Sequence, residues 1–166
     1  VQDPLTGARN RRAMNDELKI ASATQRRHGD QYAVLVMDLD SFKQINDTYG
    51  HQAGDQVLKD FVELIKTHSR KEDRLFRFGG EEFLLLLPNT DQASLQTVAS
   101  HLQQQVAQQL KGPGGTVTMS SGGAILQRGE HWEAMLQRAD QRLYQAKSAG
   151  RNRAVVADAS SEQTLT

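Results

Sequence analysis

Six consecutive apolar residues, Tyr32–Met37 (YAVLVM), stand between the turn residues Gly29-Asp30 and the acidic pair Asp38 and Asp40. A short apolar run bounded by turn and charge signals reads as a strand covered on both faces, hence central in its sheet. The rest of the chain must then supply helices for both faces. Helical periodicity runs over Arg9–His28, Ser41–Tyr49, His51–Arg70, Gln92–Leu110 and Trp132–Ala149. Arg74–Phe78 and Glu81–Leu87 read as two strands, and Gly79-Gly80 between them predicts a tight hairpin turn at positive φ. Lys111–Gly115 reads as a loop. A strand lies within Thr116–Leu126, where Gly122-Gly123 marks a bulge or a close backbone approach. Arg153–Ala157 is the last strand, and the polar, aperiodic residues 158–166 read as a disordered tail. A hairpin among alternating helices and strands predicts an α+β fold: an α/β sandwich whose five-stranded sheet is mixed, mostly antiparallel and flanked by helices.

The 166 residues fit one domain, 1–157, with no repeat or linker that divides them. Twenty basic and twenty acidic residues cancel, which argues against a nucleic-acid coat or a membrane-surface binder. No cysteine is present, so disulfides, thiolate metal sites and Cys nucleophiles are excluded. No apolar run approaches the length of a membrane span. Val1 in place of Met makes the chain read as a piece of a longer protein.

Four features carry possible chemistry. Asp38 and Asp40 end the central strand, and residues i and i+2 share a side of it. They suit a hard cation, and equally a helix cap with a solvated neighbour. Gly79-Gly80-Glu81-Glu82-Phe83 combines two residues that admit a close ligand with two acids, one for each face of the strand. Adjacent strands could bring these acids to Asp38, as in two-metal phosphoryl-transfer sites. Asn46 to Asp55 is either a helix–turn–helix joint or an amide and a carboxylate that together match a guanine edge. Lys147 and Arg151 close the last helix, where they suit either its dipole or a set of phosphates.

Together and in this order these features resemble the GGDEF family of diguanylate cyclases, from residue 3 to about 157. Asp3-Pro4-Leu5-Thr6-Gly7 with Asn10-Arg11-Arg12 is similar to the family's opening, with Ala8 where Leu is usual. Asp38–Lys43, Asn46–His51 and Arg77–Phe83 follow, the last in the Glu form of the signature. Ala139-Asp140, Leu143-Tyr144, Ala146-Lys147 and Gly150-Arg151-Asn152 match the C-terminal motif. The resemblance implies a fold like polymerase palms and nucleotide cyclases. It implies an enzyme that condenses two GTP into cyclic di-GMP and two pyrophosphates across a homodimer. Asp38, Glu81 and the Leu39 carbonyl would ligate Mg²⁺ or Mn²⁺, two per active site. Glu82 would serve the signature, and Gly79 and Gly80 would let the nucleotide lie on the hairpin. Asn46 and Asp55 would read guanine; family members with relaxed purine choice tend to carry Ser at the latter position. Phe42 and Lys43 would cover the triphosphate, with Lys147 and Arg151 on its terminal phosphates.

Arg70 and Asp73, in the R-x-x-D form nine residues before Gly79, match the family's inhibitory site for cyclic di-GMP. The helix after the signature carries no Arg to extend that site; His101 or Gln103 stands roughly there. Use of GTP and the absence of Cys suit a cytoplasmic catalytic domain, zero net charge argues against a nucleic-acid partner, and the family implies an upstream sensory or receiver domain that could include a membrane anchor. The other class of function is a catalytically silent module that binds GTP or cyclic di-GMP. The intact signature, Asp38 and Asp55 favour the enzyme. His28, His68, His101 and His131 are dispersed without ligand spacing, and Trp132 and Tyr144 read as packing residues.

Overall fold

The computed structural model describes residues 1–158 and the backbone of residues 164–165. In chain order the elements are α1 (Arg11–His28), β1 (Tyr32–Leu39), α2 (Phe42–Tyr49), α3 (His51–Thr67), β2 (Arg74–Arg77), β3 (Glu82–Pro88), α4 (Gln92–Gln109), β4 (Lys111–Gly112), β5 (Gly115–Thr116), β6 (Met119–Ile125), α5 (Trp132–Ser148), β7 (Ala154–Val155) and β8 (Thr164–Leu165). The main sheet runs β2-β3-β1-β6-β7-β8. β1 is antiparallel to β3 on one side and to β6 on the other, and among the described strands only β6–β7 is parallel. The five expected strands are therefore present in a mixed, mostly antiparallel sheet, with β8 added at its edge. The expected tail falls largely on residues 159–163 and 166, which lie outside the described residues.

Alternation along β1 divides the core. Ala33, Leu35, Met37 and Leu39 face α3 and α4, packing with Phe61, Ile65, Leu95 and Leu102. Val34 and Val36 face α1 and α5, packing with Met14, Leu18, Met135 and Leu143. The unbroken apolar run is thus two interleaved faces of one strand, each covered by a pair of helices. α1 starts where Asn10 accepts the Ala13 N–H through its side chain at 3.0 Å, and it ends at left-handed Gly29. No helix among the described residues is long and apolar enough to cross a membrane.

Two local expectations are corrected. Lys111–Gly115 is not a plain loop: β4 and β5 pair there as a two-stranded ribbon. The β2–β3 connection is not a two-glycine primed turn. Arg77 pairs with Phe83, so five residues separate the paired ends, and neither Gly79 nor Gly80 has positive φ. The Glu82 carbonyl instead accepts the N–H groups of Phe78 and Gly79, at 3.1 and 3.4 Å. The wider loop exists because other groups hold its carbonyls.

Those groups begin at the N-terminus. Asp3 accepts from the N–H and hydroxyl of Thr6 (2.9 and 2.7 Å) and from the Arg77 guanidinium (3.0 Å). Arg77 also donates to the carbonyls of Gly79 (3.2 Å) and Gly80 (2.7 Å). Burial opposes the Asp3 charge, but Thr6 and Arg77 outweigh it and hold its carboxyl below the usual range. A lowered folded-state pKa contributes stability above the unfolded-state pKa and loses it as pH falls through the folded-state value. Asp3→Asn is therefore expected to cost about 1–2 kcal/mol at neutral pH and progressively less in acid, measured by urea unfolding. A pH-independent difference would reject the charged pair as its source.

Candidate active site

The Asp38 end of β1, the loop between β2 and β3, and the chain after α5 meet at one edge of the sheet. Asp38 is 6% exposed and Asp40 7%. One Asp38 oxygen, Oδ2, pairs with the Lys147 ammonium of α5. The other, Oδ1, is buried without a hydrogen-bond partner among the described residues. The Glu81 carbonyl accepts the Leu39 N–H at 3.3 Å, which fixes the signature loop against the strand end. Burial raises the Glu81 carboxyl above its ordinary pKa, and the Asp38 charge adds to this, followed by that of Glu82; Lys147 offsets part of it. Two carboxylates that repel each other at a partly buried strand end are a place for positive charge. Among the described residues no group of three or more His, Asp or Glu converges as a cage. Asp38, Glu81 and a backbone carbonyl are hard oxygen donors few enough to leave positions for water and phosphate oxygens, which is how Mg²⁺ is commonly held.

The remaining candidates are distributed around this edge. Glu82 is the register partner of Asp38, and its carboxylate lies over Gly79, where a side chain would collide with it. Asn46 on α2 lies against Gly54 of α3, its Oδ1 buried and without a partner among the described residues; Asp55 follows Gly54, half-buried. The Phe42 side chain is buried in the core, so it faces the site only through its backbone. What Phe42 offers is its N–H at the start of α2, where left-handed Ser41 makes no side-chain cap. Lys43 beside it is exposed. Arg151 is exposed and 3.9 Å from Asp40.

Arg70 and Asp73 stand elsewhere. They flank the start of β2, beside Pro88 at the far end of β3 from Glu81. Seven strand residues separate the two ends, about 20 Å. Arg70 donates to Asp73 (2.9 Å), to the Pro88 carbonyl (2.8 Å) and to the Thr90 hydroxyl (3.0 Å).

The sequence matches the family described as diguanylate cyclase, GGDEF domain, over residues 1–153. This chain belongs to the GGDEF domain family. Relatives of the GGDEF domain include diguanylate cyclase DgcP of Pseudomonas aeruginosa, 41% identical over 160 residues that cover 95% of this chain and 24% of that protein. The response regulator PleD of Caulobacter vibrioides is 37% identical over 167 residues, 93% of this chain and 36% of PleD. The chain thus spans about a quarter to about a third of these relatives' length. The GGDEF domain of DgcB from Caulobacter crescentus, solved in complex with c-di-GMP, superposes with a TM-score of 0.88 at 35% identity, covering 93% of this chain and 94% of that one. The active GGEEF domain of a diguanylate cyclase from Vibrio cholerae gives 0.85 at 31%, covering 90% and 97%.

Some roles in this GGDEF domain escape motif reasoning. Arg77 holds the signature loop by its carbonyls, and only the tertiary contact with Asp3 reveals it. Asp40 does not cap α2; it faces β6 and the C-terminal arm. Gln103 is buried and points toward that arm, where it meets Asn152. His101 instead meets His68, which caps the C-terminus of α3, with ring nitrogens 3.3 Å apart, so these two histidines are a pair. Tyr144 is 72% exposed and packs no core, whereas Trp132 does pack against the α1–α5 core.

Proposed function

We propose that this GGDEF domain is a diguanylate cyclase that takes two GTP to cyclic di-GMP and two pyrophosphates. The observation that carries this is the convergence of Asp38, the Glu81 loop and Lys147 at one sheet edge, with a buried, unpartnered Asp38 oxygen. Each 3′-hydroxyl gives up its proton as its oxygen bonds to the α-phosphorus of the other GTP, and the bond from that phosphorus to the bridging oxygen breaks, releasing pyrophosphate. Because two nucleotides react with each other, the edge that holds one must face the same edge of a second copy; hence a homodimer.

Asp38, Glu81 and the Leu39 carbonyl fit a divalent cation, Mg²⁺ or Mn²⁺, two per site. Bound there, it would neutralise charge on the transferring phosphoryl group and acidify the attacking hydroxyl. The chain's own groups do the rest. Lys147 and Arg151 hold phosphate oxygens, Arg with a planar fork and Lys as a point charge. The α2 N–H groups at Phe42 and Lys43 add donors, and the Lys43 ammonium adds charge. Asn46 and Asp55 read guanine: the Asp55 carboxylate accepts from N1–H and N2–H₂, donors that adenine lacks, and the Asn46 amide completes the edge. Glu82 keeps the signature loop in shape through its backbone and its carboxylate over Gly79, and Gly79 and Gly80 leave that loop without bulk where the nucleotide passes. The domain works in the cytoplasm, where GTP is, under control of an upstream sensory or receiver domain.

Arg70 and Asp73 form the inhibitory site for cyclic di-GMP, at the far end of β3 from the chemistry. A related GGDEF domain was solved in complex with c-di-GMP, which supports binding of that ligand by a domain of this fold. Arg70→Ala is expected to raise the inhibitory concentration of cyclic di-GMP at least about tenfold, since a lost charge-assisted contact is worth more than about 1.4 kcal/mol. Initial rates at low product should stay within about twofold. Unchanged inhibition would refute the assignment.

The decisive assay incubates the chain with GTP and Mg²⁺ and follows products by chromatography. Cyclic di-GMP and pyrophosphate in a one-to-two ratio, with a specific rate that rises with protein concentration, are expected. GTP binding without product at high protein concentration would leave the silent binding module.

A further inference from the structure

The chain leaves α5 in an unusual way. Gly150, Arg151 and Asn152 all have positive φ, at 121°, 65° and 48°. Two consecutive non-glycine residues in the left-handed region persist only where their surroundings over-determine them. The surroundings are two buried polar side chains that the proposed reaction does not use.

Asp40 is the first. Its carboxylate accepts the Thr118 hydroxyl at 2.6 Å, the Ser120 hydroxyl at 2.6 Å and the Asn152 N–H at 3.0 Å. Gln103, reaching from α4 at 5% exposure, is the second. Its amide donates to the Met119 carbonyl at 2.7 Å and to Asn152 Oδ1 at 3.1 Å. Asn152 is therefore held by its backbone from the end of β1 and by its side chain from α4. Both anchors also bind β6, so the turn is fastened to the centre of the sheet.

We infer that Asp40 and Gln103 are positioning residues: by clamping Asn152 they hold the left-handed turn that sets Arg151, and with it the end of α5 bearing Lys147, over the Asp38 edge. The inference rests on the proposal that Lys147 and Arg151 bind the triphosphate. Neither Asp40 nor Gln103 needs to touch the nucleotide. Asp40 has both oxygens engaged by protein donors, unlike Asp38, whose Oδ1 has none among the described residues. The Asp-Leu-Asp motif thus divides its labour: the first carboxylate faces cation and phosphate, and the second ties down the arm that meets them.

A clamp on the phosphate arm has a signature that general loss of stability lacks. It changes affinity for the triphosphate and leaves affinity for the base and its α-phosphate alone. The affinities of GMP and of α,β-methylene-GTP, measured by titration calorimetry with Mg²⁺, give the ratio contributed by the two outer phosphates. Asp40→Asn and Gln103→Leu are each expected to lower that ratio about tenfold, with GMP affinity changed less than about twofold. Thr118→Val, which removes one Asp40 donor and keeps the carboxylate, is expected to lower it less and in the same direction; it serves if Asp40→Asn does not fold. Equal weakening of both nucleotides, or an unchanged ratio in all three variants, would overturn the positioning role. Lys147→Ala separates the two levels. If it too leaves the ratio unchanged, the phosphate assignment fails and takes the clamp with it. If it lowers the ratio while Asp40→Asn and Gln103→Leu do not, the clamp alone fails.

Discussion

Glu81→Gln is expected to slow cyclic di-GMP formation by about a thousandfold or more, equivalent to about 4 kcal/mol of transition-state stabilisation. The substitution keeps the size and shape of the side chain and removes the charge that a cation would meet beside Asp38. It should not unfold the domain. Burial and the neighbouring Asp38 and Glu82 charges raise the Glu81 pKa, so the carboxylate is in part an electrostatic burden on the folded chain. The neutral amide relieves it, and the variant should melt no lower than the parent. The same raised pKa fixes the direction of a pH effect. The charged form that a cation requires is lost on acidification at a higher pH than for an ordinary glutamate, so cation affinity should fall early on the acid side. Mn²⁺ binding followed by electron paramagnetic resonance against pH checks this in the absence of nucleotide. Parental turnover in the Glu81→Gln variant would remove the metal role.

The second large effect is on the fold. A Cβ at Gly122 would overlap the Ala139 carbonyl oxygen and the Leu143 nitrogen, both backbone of α5. No rotamer change can relieve a contact with backbone, so Gly122→Ala must push the helix off the sheet. The expected cost is about 3 kcal/mol or more, at or above the upper end of ordinary overpacking. Because α5 carries Lys147 on the same helix, the folded remainder should also bind GTP more weakly. Gly80→Ala is the control: nothing lies within 4 Å of a Cβ there. Urea unfolding of the two variants separates the cases. Parental stability in the Gly122→Ala variant would mean that α5 does not sit so close to β6.

The glycine pair at 122–123 was legible because a strand in the middle of a sheet has little other reason to lack side chains. The register with β1 runs unbroken through it, which leaves close approach and excludes a bulge. The pair at 79–80 shows the opposite case. A two-glycine spacing is a sound hairpin signal by itself. Here Arg77 supplies donors to the loop carbonyls, held in turn by Asp3 from 74 residues away, and the wider loop wins. Phe42 follows the same logic. The family resemblance implies a place for it beside phosphates, and its hydrophobic ring favours the core; burial takes the side chain, so a phosphate contact would fall to the backbone N–H.

The opposed charge regions are also legible. Residues 30–60 carry six acidic and two basic side chains, and 138–153 carry five basic and one acidic. The sheet brings parts of these regions together as Asp38 with Lys147 and Asp40 with Arg151. Charge content told that an acidic and a basic segment exist; only packing decided which residues of each meet.

By itself, then, the sequence determined the elements and the layers. Apolar periodicity is a local property, and a fully apolar six-residue strand has one stable environment, between two layers of helices. It also determined the family, through the order and spacing of motifs. Tertiary structure decided the partners of the polar residues: Asp40 with Asn152, Gln103 with the same residue from α4, His68 with His101, and Arg77 with Asp3. A buried polar group must find a hydrogen-bond partner, but nothing in its sequence neighbourhood says where in the chain that partner lies. Where two polar side chains meet is fixed only when the apolar core has set the distance between the elements that bear them.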